Sequence, residues 1–476
     1  MAALVTALVL VAAGRAEAAP LSKADEGIYR EAFAAVKQGK WAFARSRAAR
    51  AKDPTLAKAI SWFEMSDPGS PATFEERARF IADNPDWPES RSFRELAEGA
   101  MTDSTPDQEI LDWFAAHEPV TSAGLTRYGE ALARAGKRDQ ADALFRKAWI
   151  EGSFGLREER TFLARHGGVL REQDHVARLD RLLWDGRFDA VKRMLRRVDT
   201  GHQAVADARR RLRQMEGAVD WALRRVPNDL QNDPGLLYER LRWRRRKDID
   251  DGAIEILDQA PDNLVRPELW WNERSIIARR ALAAGNISAA YRIASRHGLT
   301  EGPSFVEAEW LAGWIALRFL QDGANAVQHF TKAFEASRYP ISQARGAYWA
   351  GRAAELVKGK PGLAAEWFKR AATFPTTYHG QLAANKLHPG KGLELPPDPQ
   401  PSAEEKARFD ARDMVVVTRQ LTQIGEERRL RPFVLRLQDI ADSPAEVALV
   451  GDLAAEEGRP DLAVAMSKRA VRAGVL

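Results

Sequence analysis

The chain has 476 residues, more than one ordinary hydrophobic core holds, so several domains or a stack of repeats is expected. It contains no cysteine, which excludes disulfides, thiol catalysis and thiolate metal sites. Lys and Arg total 72 against 67 for Asp and Glu, so the net charge of +5 is small, and no nucleic-acid partner is predicted.

The composition is typical of a helical protein. Ala, Arg, Leu and Glu are frequent, Tyr numbers only 7, and strand patterns are nearly absent, so the sequence predicts an all-α fold. The 14 Trp residues are expected to fill gaps between stacked helices, and stacking of one or two of them against sugars is the alternative interpretation.

The first predicted element is a signal peptide at residues 1–18. Residues 1–13 are apolar apart from Thr6, and Ala16-Glu17-Ala18 forms a small-x-small cleavage site. Because no basic residue precedes Arg15, the first residue is expected to lie inside a longer signal peptide, and a short apolar helix is the alternative interpretation. The signal peptide predicts export, and no later stretch has the roughly 18 apolar residues that a membrane span needs.

Residues 19–388 are predicted to form a curved solenoid of tetratricopeptide-like helix pairs. Between Leu311 and Ala372 a set of Gly, Ala, Phe and Ala recurs 38 residues later. The Ala, Phe and Ala positions share one helix face, and the Gly predicts a close approach on the preceding helix. The two sets are Gly313, Ala326, Phe330 and Ala333, then Gly351, Ala364, Phe368 and Ala371.

An earlier unit has the tetratricopeptide spacing, although Ser153 replaces the closing proline. Its positions are Leu125, Tyr128-Gly129 and Leu132 on the first helix, Gly136 in the turn, and Ala141, Phe145 and Ala148 on the second. Weaker units show a turn glycine followed by alanine: Gly39 with Ala44, Gly186 with Ala190, Gly285 with Ala289, and Gly458 with Ala463.

A proline-rich linker is predicted at 389–402, because Pro396, Pro397, Pro399 and Pro401 prevent a helix. Residues 403–476 are predicted to form about four helices of a small helical linker domain. Breaks are expected at Gly425, Pro432, Ser443-Pro444 and Gly458, and the apolar positions Val447, Leu449 and Leu453 are expected to be exposed and to cause weak self-association.

No catalytic, cofactor-binding or metal-binding residue is predicted, and no cofactor. The eight His are scattered, and His117-Glu118-Pro119 lacks the second His of a zinc motif. The basic run from Arg242 to Lys247 is interpreted as a salt-bridged helix face because acidic residues flank it. Binding of an anionic cell-wall polymer is the alternative.

Six stretches, in this order, resemble the soluble lytic murein transglycosylases. They are Asn-Pro-Asp-Trp-Pro-Glu at 84–89, Arg-Leu-Asp-Arg-Leu-Leu-Trp at 178–184, Asp-Pro-Gly-Leu-Leu-Tyr-Glu-Arg at 233–240, Leu-Ala-Gly-Trp-Ile-Ala-Leu at 311–317, Ala-Tyr-Trp-Ala-Gly-Arg-Ala-Ala at 347–354, and Phe-Pro-Thr-Thr-Tyr-His-Gly-Gln-Leu-Ala at 374–383. Each is weak by itself, and the last is the most specific.

The resemblance implies a U-shaped superhelical domain through about residue 388 and a helical linker domain from 403 onward. In the family a lysozyme-like domain follows, where a Glu in a Glu-Ser-x-Phe setting, with Gly-Leu-Met-Gln after it, protonates the glycosidic oxygen between N-acetylmuramic acid and N-acetylglucosamine. Attack by the muramyl 6-hydroxyl then leaves a 1,6-anhydro sugar. Glu89-Ser90-Arg91-Ser92-Phe93 has an extra residue before Phe and no Gly-Leu-Met-Gln after it. No catalytic residue is therefore carried over, and the catalytic domain is expected to be absent through a frameshift, an early stop, a split gene or an incomplete gene model.

The first hypothesis is that the chain is the scaffold of a periplasmic lytic transglycosylase in peptidoglycan turnover. Its partners would be glycan strands and a separate catalytic domain or other cell-wall proteins. The alternative is a periplasmic tetratricopeptide-like adaptor that binds proteins through its inner face. A third hypothesis is an enzyme whose site has no sequence motif.

Overall fold

The computed structural model describes residues 20–261, 263–392, 395 and 397–475. The predicted signal peptide at 1–18 lies outside the described residues. Within the described ranges the regular secondary structure is helical and includes no strand, so the predicted all-α fold is confirmed. Among these residues no helix combines the length and the apolar character needed to cross a bilayer.

The helices of the described residues fall into three groups along the chain. The amino-terminal helices are α1 (Lys23–Val36), α2 (Trp41–Ala48), α3 (Thr55–Met65), α4 (Phe74–Asp83), α5 (Arg91–Gly99), α6 (Asp107–Ala116) and α7 (Ser122–Arg134). The central helices are α8 (Arg138–Glu151), α9 (Leu156–His166), α10 (Glu172–Trp184), α11 (Phe188–Met194), α12 (Thr200–Gln214), α13 (Val219–Arg224), α14 (Pro234–Arg246), α15 (Asp250–Asp258), α16 (Pro267–Ala283), α17 (Ile287–Ser295), α18 (Gly302–Arg318), α19 (Gly323–Ala336), α20 (Pro340–Ala354), α21 (Leu363–Ala372) and α22 (Tyr378–Leu387). The carboxyl-terminal helices are α23 (Ala403–Asp410), α24 (Asp413–Gln423), α25 (Arg431–Asp439), α26 (Pro444–Glu456) and α27 (Pro460–Arg472), and short 3₁₀ turns lie at Gly167–Val169, Leu195–Arg197, Asn228–Leu230 and Glu427–Arg429.

The helices belong to two compact units. Unit 1 contains residues up to 127 together with 397–471 and 475, and unit 2 contains 128–396 and 472–474. This division follows the packing of the helices and differs from the predicted domains. The sequence analysis assigned 19–388 to a superhelical domain and 403–476 to a helical linker domain. The predicted domain boundaries and the U shape stay predictions.

In unit 2 the two helices of a repeat pack closely where a glycine of the first helix contacts a phenylalanine ring of the second. A methyl group added to the glycine would lie 3.0 Å or less from a ring carbon, closer than carbon atoms approach without strain. The helix pairs predicted from the recurring Gly and Phe positions are therefore confirmed. The contacts are Gly129 with Phe145, Gly313 with Phe330, and Gly351 with Phe368.

Most tryptophans lie in the interior, as the composition predicts. Trp149 and Trp270 are fully buried, and the Trp270 indole N–H donates to the Leu264 carbonyl at 3.0 Å. Trp221 is the exception, with 46% of its surface exposed.

Unit 1 joins the first helices of the chain to the last ones. The Phe433 ring of α25 has its centroid 5.0 Å from that of Trp62 and 5.6 Å from that of Trp87. The Gln423 amide at the end of α24 accepts from the Leu21 N–H at 2.8 Å and donates to the Leu21 carbonyl at 3.0 Å. One continuous core therefore spans both ends of the chain.

Two expectations for the carboxyl-terminal helices are wrong. Leu449 and Leu453 are buried in the unit 1 core and Val447 is partly buried, so these residues do not form an exposed apolar surface. Residues 403–475 form five helices where about four were expected, because the chain breaks at Ala411 and Arg412 between α23 and α24.

Candidate functional site

A groove of about 730 Å³ in unit 2 is the candidate site. Helices α10 and α12 form its walls, and the segments leading into α12 and α14 close its ends. Its lining combines ionisable and aliphatic side chains: Arg171, Glu172, Gln173, Val176, Ala177, Leu179, Asp180, Leu183, Asp199, His202, Val205, Leu230, Arg209 and Asp233. We refer to it as the α10–α12 groove. Volumes of roughly 300–1,000 Å³ with a few convergent polar groups are typical of ligand sites.

A buried arginine holds two carboxylates at the floor of the groove. Arg209 is only 3% exposed, and its Nη1 donates to Asp180 Oδ1 and lies 3.5 Å from Asp233 Oδ1. Its guanidinium carbon lies 5.2 Å from the centroid of the Trp184 ring. Its Nε is buried without a hydrogen-bond partner. Salt bridges and an aromatic face therefore fix the guanidinium, while one of its donors stays unused.

The two aspartates at the ends of the groove are helix caps. The Asp199 side chain accepts from the His202 N–H at 3.0 Å at the start of α12, and Asp233 accepts from the Leu236 N–H at 2.7 Å at the start of α14. Asp is favoured at this position because its carboxylate satisfies an amide of the first turn and interacts favourably with the helix dipole. Local capping therefore places both carboxylates at the groove.

Glycine makes the close packing around Arg209 possible. A methyl group at Gly235 would lie 2.1 Å from the Arg209 guanidinium carbon, so only glycine lets α14 approach this side chain. At the other end, a methyl group at Gly201 would lie 3.1 Å from Leu230 Cδ1. The shape of the groove therefore depends on two glycines as well as on its ionisable residues.

The carboxylates in the groove differ in their acidity. Burial raises the pKa of Asp233, and the neighbouring Asp180 raises it too, while Arg209 and the Leu236 N–H oppose this. Hydrogen bonds from the His202 backbone and side chain lower the pKa of Asp199, which is exposed. The imidazole Nδ1 of His202 contacts Asp199 directly. Shifted acidities of this kind are common at binding sites.

Aliphatic residues give the groove an apolar surface beside its ionisable groups. Leu179, Leu183 and Val205 are buried along its floor, and Val176 and Leu230 are partly buried at its sides. The arrangement can therefore hold a ligand that has both hydrogen-bonding groups and an apolar face. No group of three or more His, Asp or Glu in the described part of the chain is arranged to hold a metal ion.

Two of the six family-like stretches meet at this groove. Asp180 belongs to the stretch at 178–184 and Asp233 to the stretch at 233–240, and both contact Arg209. Arg209 itself lies outside every stretch that the sequence singles out. No local pattern in the sequence shows that the Arg209 side chain is buried between two distant carboxylates, so this residue could not be predicted.

The other family-like stretches serve packing. Arg436 of α25 donates to the carbonyls of Pro85 at 2.9 Å and Asp86 at 3.0 Å. Thr377 caps α22, where Gly380 leaves room for the Phe374 carbonyl, since a methyl group there would lie 2.0 Å from that oxygen. The stretches at 311–317 and 347–354 carry the glycines that contact Phe330 and Phe368.

The remaining candidates are explained by local structure. In Glu89-Ser90-Arg91-Ser92-Phe93, Ser90 caps α5 and Phe93 is buried. The basic run is salt-bridged, with partners that differ in part from those expected. Arg242 lies 3.6 Å from the flanking Glu239, whereas Arg244 pairs with Glu255 at 3.0 Å and Arg245 with Glu273, which lie farther along the chain.

No family model and no curated protein matches the sequence. Among solved structures, the fold is similar to an inactive mutant of the lytic transglycosylase Slt from Pseudomonas aeruginosa, with 17% identity and a TM-score of 0.65, covering 94% of this chain and 72% of that chain. The 70-kDa soluble lytic transglycosylase from Escherichia coli matches with 15% identity and a TM-score of 0.47, covering 95% and 71%. A complex of the 70-kDa soluble lytic transglycosylase with bulgecin A matches with 15% identity and a TM-score of 0.44, covering 93% and 70%. The last two TM-scores are too low to carry an argument. The first confirms, at the level of the fold, the resemblance predicted from the motifs.

Proposed function

We propose that this protein acts in peptidoglycan turnover in the periplasm, where it binds and positions glycan strands for a lytic transglycosylase centre. The observation that carries the proposal is the similarity of fold over 94% of the chain to a lytic transglycosylase. The order of the six family-like stretches along the sequence supports it independently.

Residues 1–476 hold no counterpart of the catalytic motif pair, and in the stretch that begins at Glu89, Ser90 caps α5. We therefore propose that glycan is bound here and cleaved by a catalytic domain supplied elsewhere. Helical repeats suit a positioning role, because their stacked pairs present an extended surface to a long ligand.

The test is co-sedimentation of the mature chain with purified peptidoglycan, followed by mass analysis of the soluble fraction for anhydro-muropeptides. We expect binding without product, and an active lytic transglycosylase on the same peptidoglycan serves as the control for product detection. Product from this chain would contradict the division of binding and cleavage. Failure to bind would contradict the glycan role and favour the protein adaptor.

Export is part of the proposal and has its own test. Cleavage after Ala18 would leave a mature protein that begins at Ala19. We expect the intact mass of the protein from a periplasmic fraction to match this start. An uncleaved protein that stays in the cytoplasm would exclude access to peptidoglycan.

A further inference from the structure

We infer that the α10–α12 groove is a saccharide site that holds one or two sugar residues of a glycan strand over the aliphatic floor, hydrogen-bonded to Asp180 and Asp233. The inference deepens the proposed function and rests on it for the identity of the polymer. The groove itself is argued from its own chemistry.

The charges of the groove disfavour an anionic ligand. Four carboxylates line it against two arginines, Arg171 and Arg209, and the Arg209 guanidinium is buried and paired with Asp180. The carboxylates are those of Glu172, Asp180, Asp199 and Asp233. An anion entering the groove would therefore meet like charges, whereas neutral hydroxyl groups can donate to the carboxylates.

The hydrogen-bonding groups of the groove match a sugar. Asp180 and Asp233 are partly exposed, with 35% and 25% of their side chains accessible, and their carboxylates can accept from ligand hydroxyls. Arg209 is 97% buried and paired with Asp180, so it orients a carboxylate that can accept from the ligand. A sugar ring carries several hydroxyls, so one ligand can donate to both aspartates.

The aliphatic surface of the groove matches the apolar face of a sugar ring. Leu179, Val205 and Leu230 lie beside the carboxylates, where the C–H face of a sugar ring would bury apolar area. Gln173 and Glu172 are exposed at the edge of the groove, so a chain of linked sugars can continue beyond it.

The test uses the mature full chain and two soluble probes by isothermal titration calorimetry. One is N,N′-diacetylchitobiose, which is neutral, and the other is peptide-free glycan strands, in which neutral N-acetylglucosamine units alternate with muramyl units that carry a carboxylate. Asp180→Asn removes one carboxylate with little change in shape, and Ala177→Trp fills the groove. The control is Asp189→Asn on α11, whose side chain is 96% exposed outside the groove. Circular dichroism and thermal unfolding establish that each variant is folded.

We expect saturable binding to the original chain, at least tenfold weaker binding to both groove variants, and no change with Asp189→Asn. Equal binding of glycan strands by all four proteins would overturn the groove assignment and leave the proposed function standing. Absence of chitobiose binding together with intact binding of whole peptidoglycan would also overturn it, since recognition would then lie elsewhere. Failure of the original chain to bind either probe or whole peptidoglycan would reject both proposals.

Discussion

At the residue scale, the absence of a side chain is as important as its presence. Gly351 of α20 contacts the Phe368 ring of α21, where a methyl group would lie 2.7 Å from ring carbons. Gly27 in α1 is also helical, but a methyl group there would have no atom within 4 Å. The same residue type therefore has a packing role in one helix and none in the other.

We expect Gly351→Ala to lower the stability of the protein by about 1–3 kcal/mol, because the methyl group forces α20 and α21 apart. Gly27→Ala is the matched control, and it should raise stability by up to about 1 kcal/mol because alanine favours helix. Thermal unfolding followed by circular dichroism measures both. A stable Gly351→Ala variant would show that the helix pair can separate without cost.

A buried carboxylate gives a pH-dependent contribution at the same scale. Glu309 of α18 is 3% exposed and accepts hydrogen bonds from His297, at 3.3 Å, and from His329. Burial opposes ionisation, but these hydrogen bonds and the charges of His329 and Lys332 outweigh it and lower the pKa of Glu309 to about 2. Because the His297 Nδ1 accepts from the Leu299 N–H at 3.0 Å, its Nε2 carries the proton donated to Glu309.

Since the folded pKa lies below the unfolded value of 4.5, ionised Glu309 stabilises the protein above about pH 4.5, and this stabilisation is lost as the pH falls toward 2. Glu309→Gln should therefore destabilise by about 1–3 kcal/mol at pH 7, and its difference from the original chain should shrink between pH 5 and pH 2. Thermal unfolding over this range measures it. The control is Glu307→Gln, on the same helix. Because Glu307 is half-exposed and paired with Arg345, this substitution should change the stability little. A difference that stays constant with pH would contradict the role of the ionised carboxylate.

At the element scale, unit 1 depends on contacts between helices from opposite ends of the chain. Phe433 of α25 is fully buried, with its ring against Trp62, Phe63 and Trp87. The family-like stretch Asn-Pro-Asp-Trp-Pro-Glu supplies Trp87, so it contributes to the packing of this core.

We expect Phe433→Ala to cost about 3–5 kcal/mol, because it leaves a cavity among three aromatic rings. Solvent entering the cavity should also shift the tryptophan fluorescence to longer wavelength. Val464→Ala, at a side chain that is 53% exposed on α27, is the control. If Val464→Ala lost as much stability as Phe433→Ala, the effect would not be specific to this core.

At the scale of the whole molecule, the first and last helices share one core although some 400 residues separate Leu21 from Gln423. A fragment ending before α7 should therefore expose the apolar faces of α1 to α3. We expect residues 20–121 expressed alone to be poorly folded and residues 403–475, added in equal amount, to restore helical content. Circular dichroism of the separate and mixed fragments measures this, and independent folding of 20–121 would contradict it.

The sequence by itself determined the helical class, the paired helices and several of the turn glycines between helices. Recurring Gly, Ala and Phe positions specify a helix pair within about 40 residues, and glycines such as Gly425 and Gly458, both at positive φ, mark the ends. These features are encoded by neighbours along the chain, so they can be read without a structure.

Only the tertiary structure decided which distant residues meet. Arg209 between Asp180 and Asp233, and Phe433 against Trp62, are contacts set by how helices stack. Local periodicity shows that a residue faces inward but leaves its partner unspecified, because many inward faces of similar size and polarity compete along a repeat chain. The α10–α12 groove therefore became visible only when three separate segments were placed side by side.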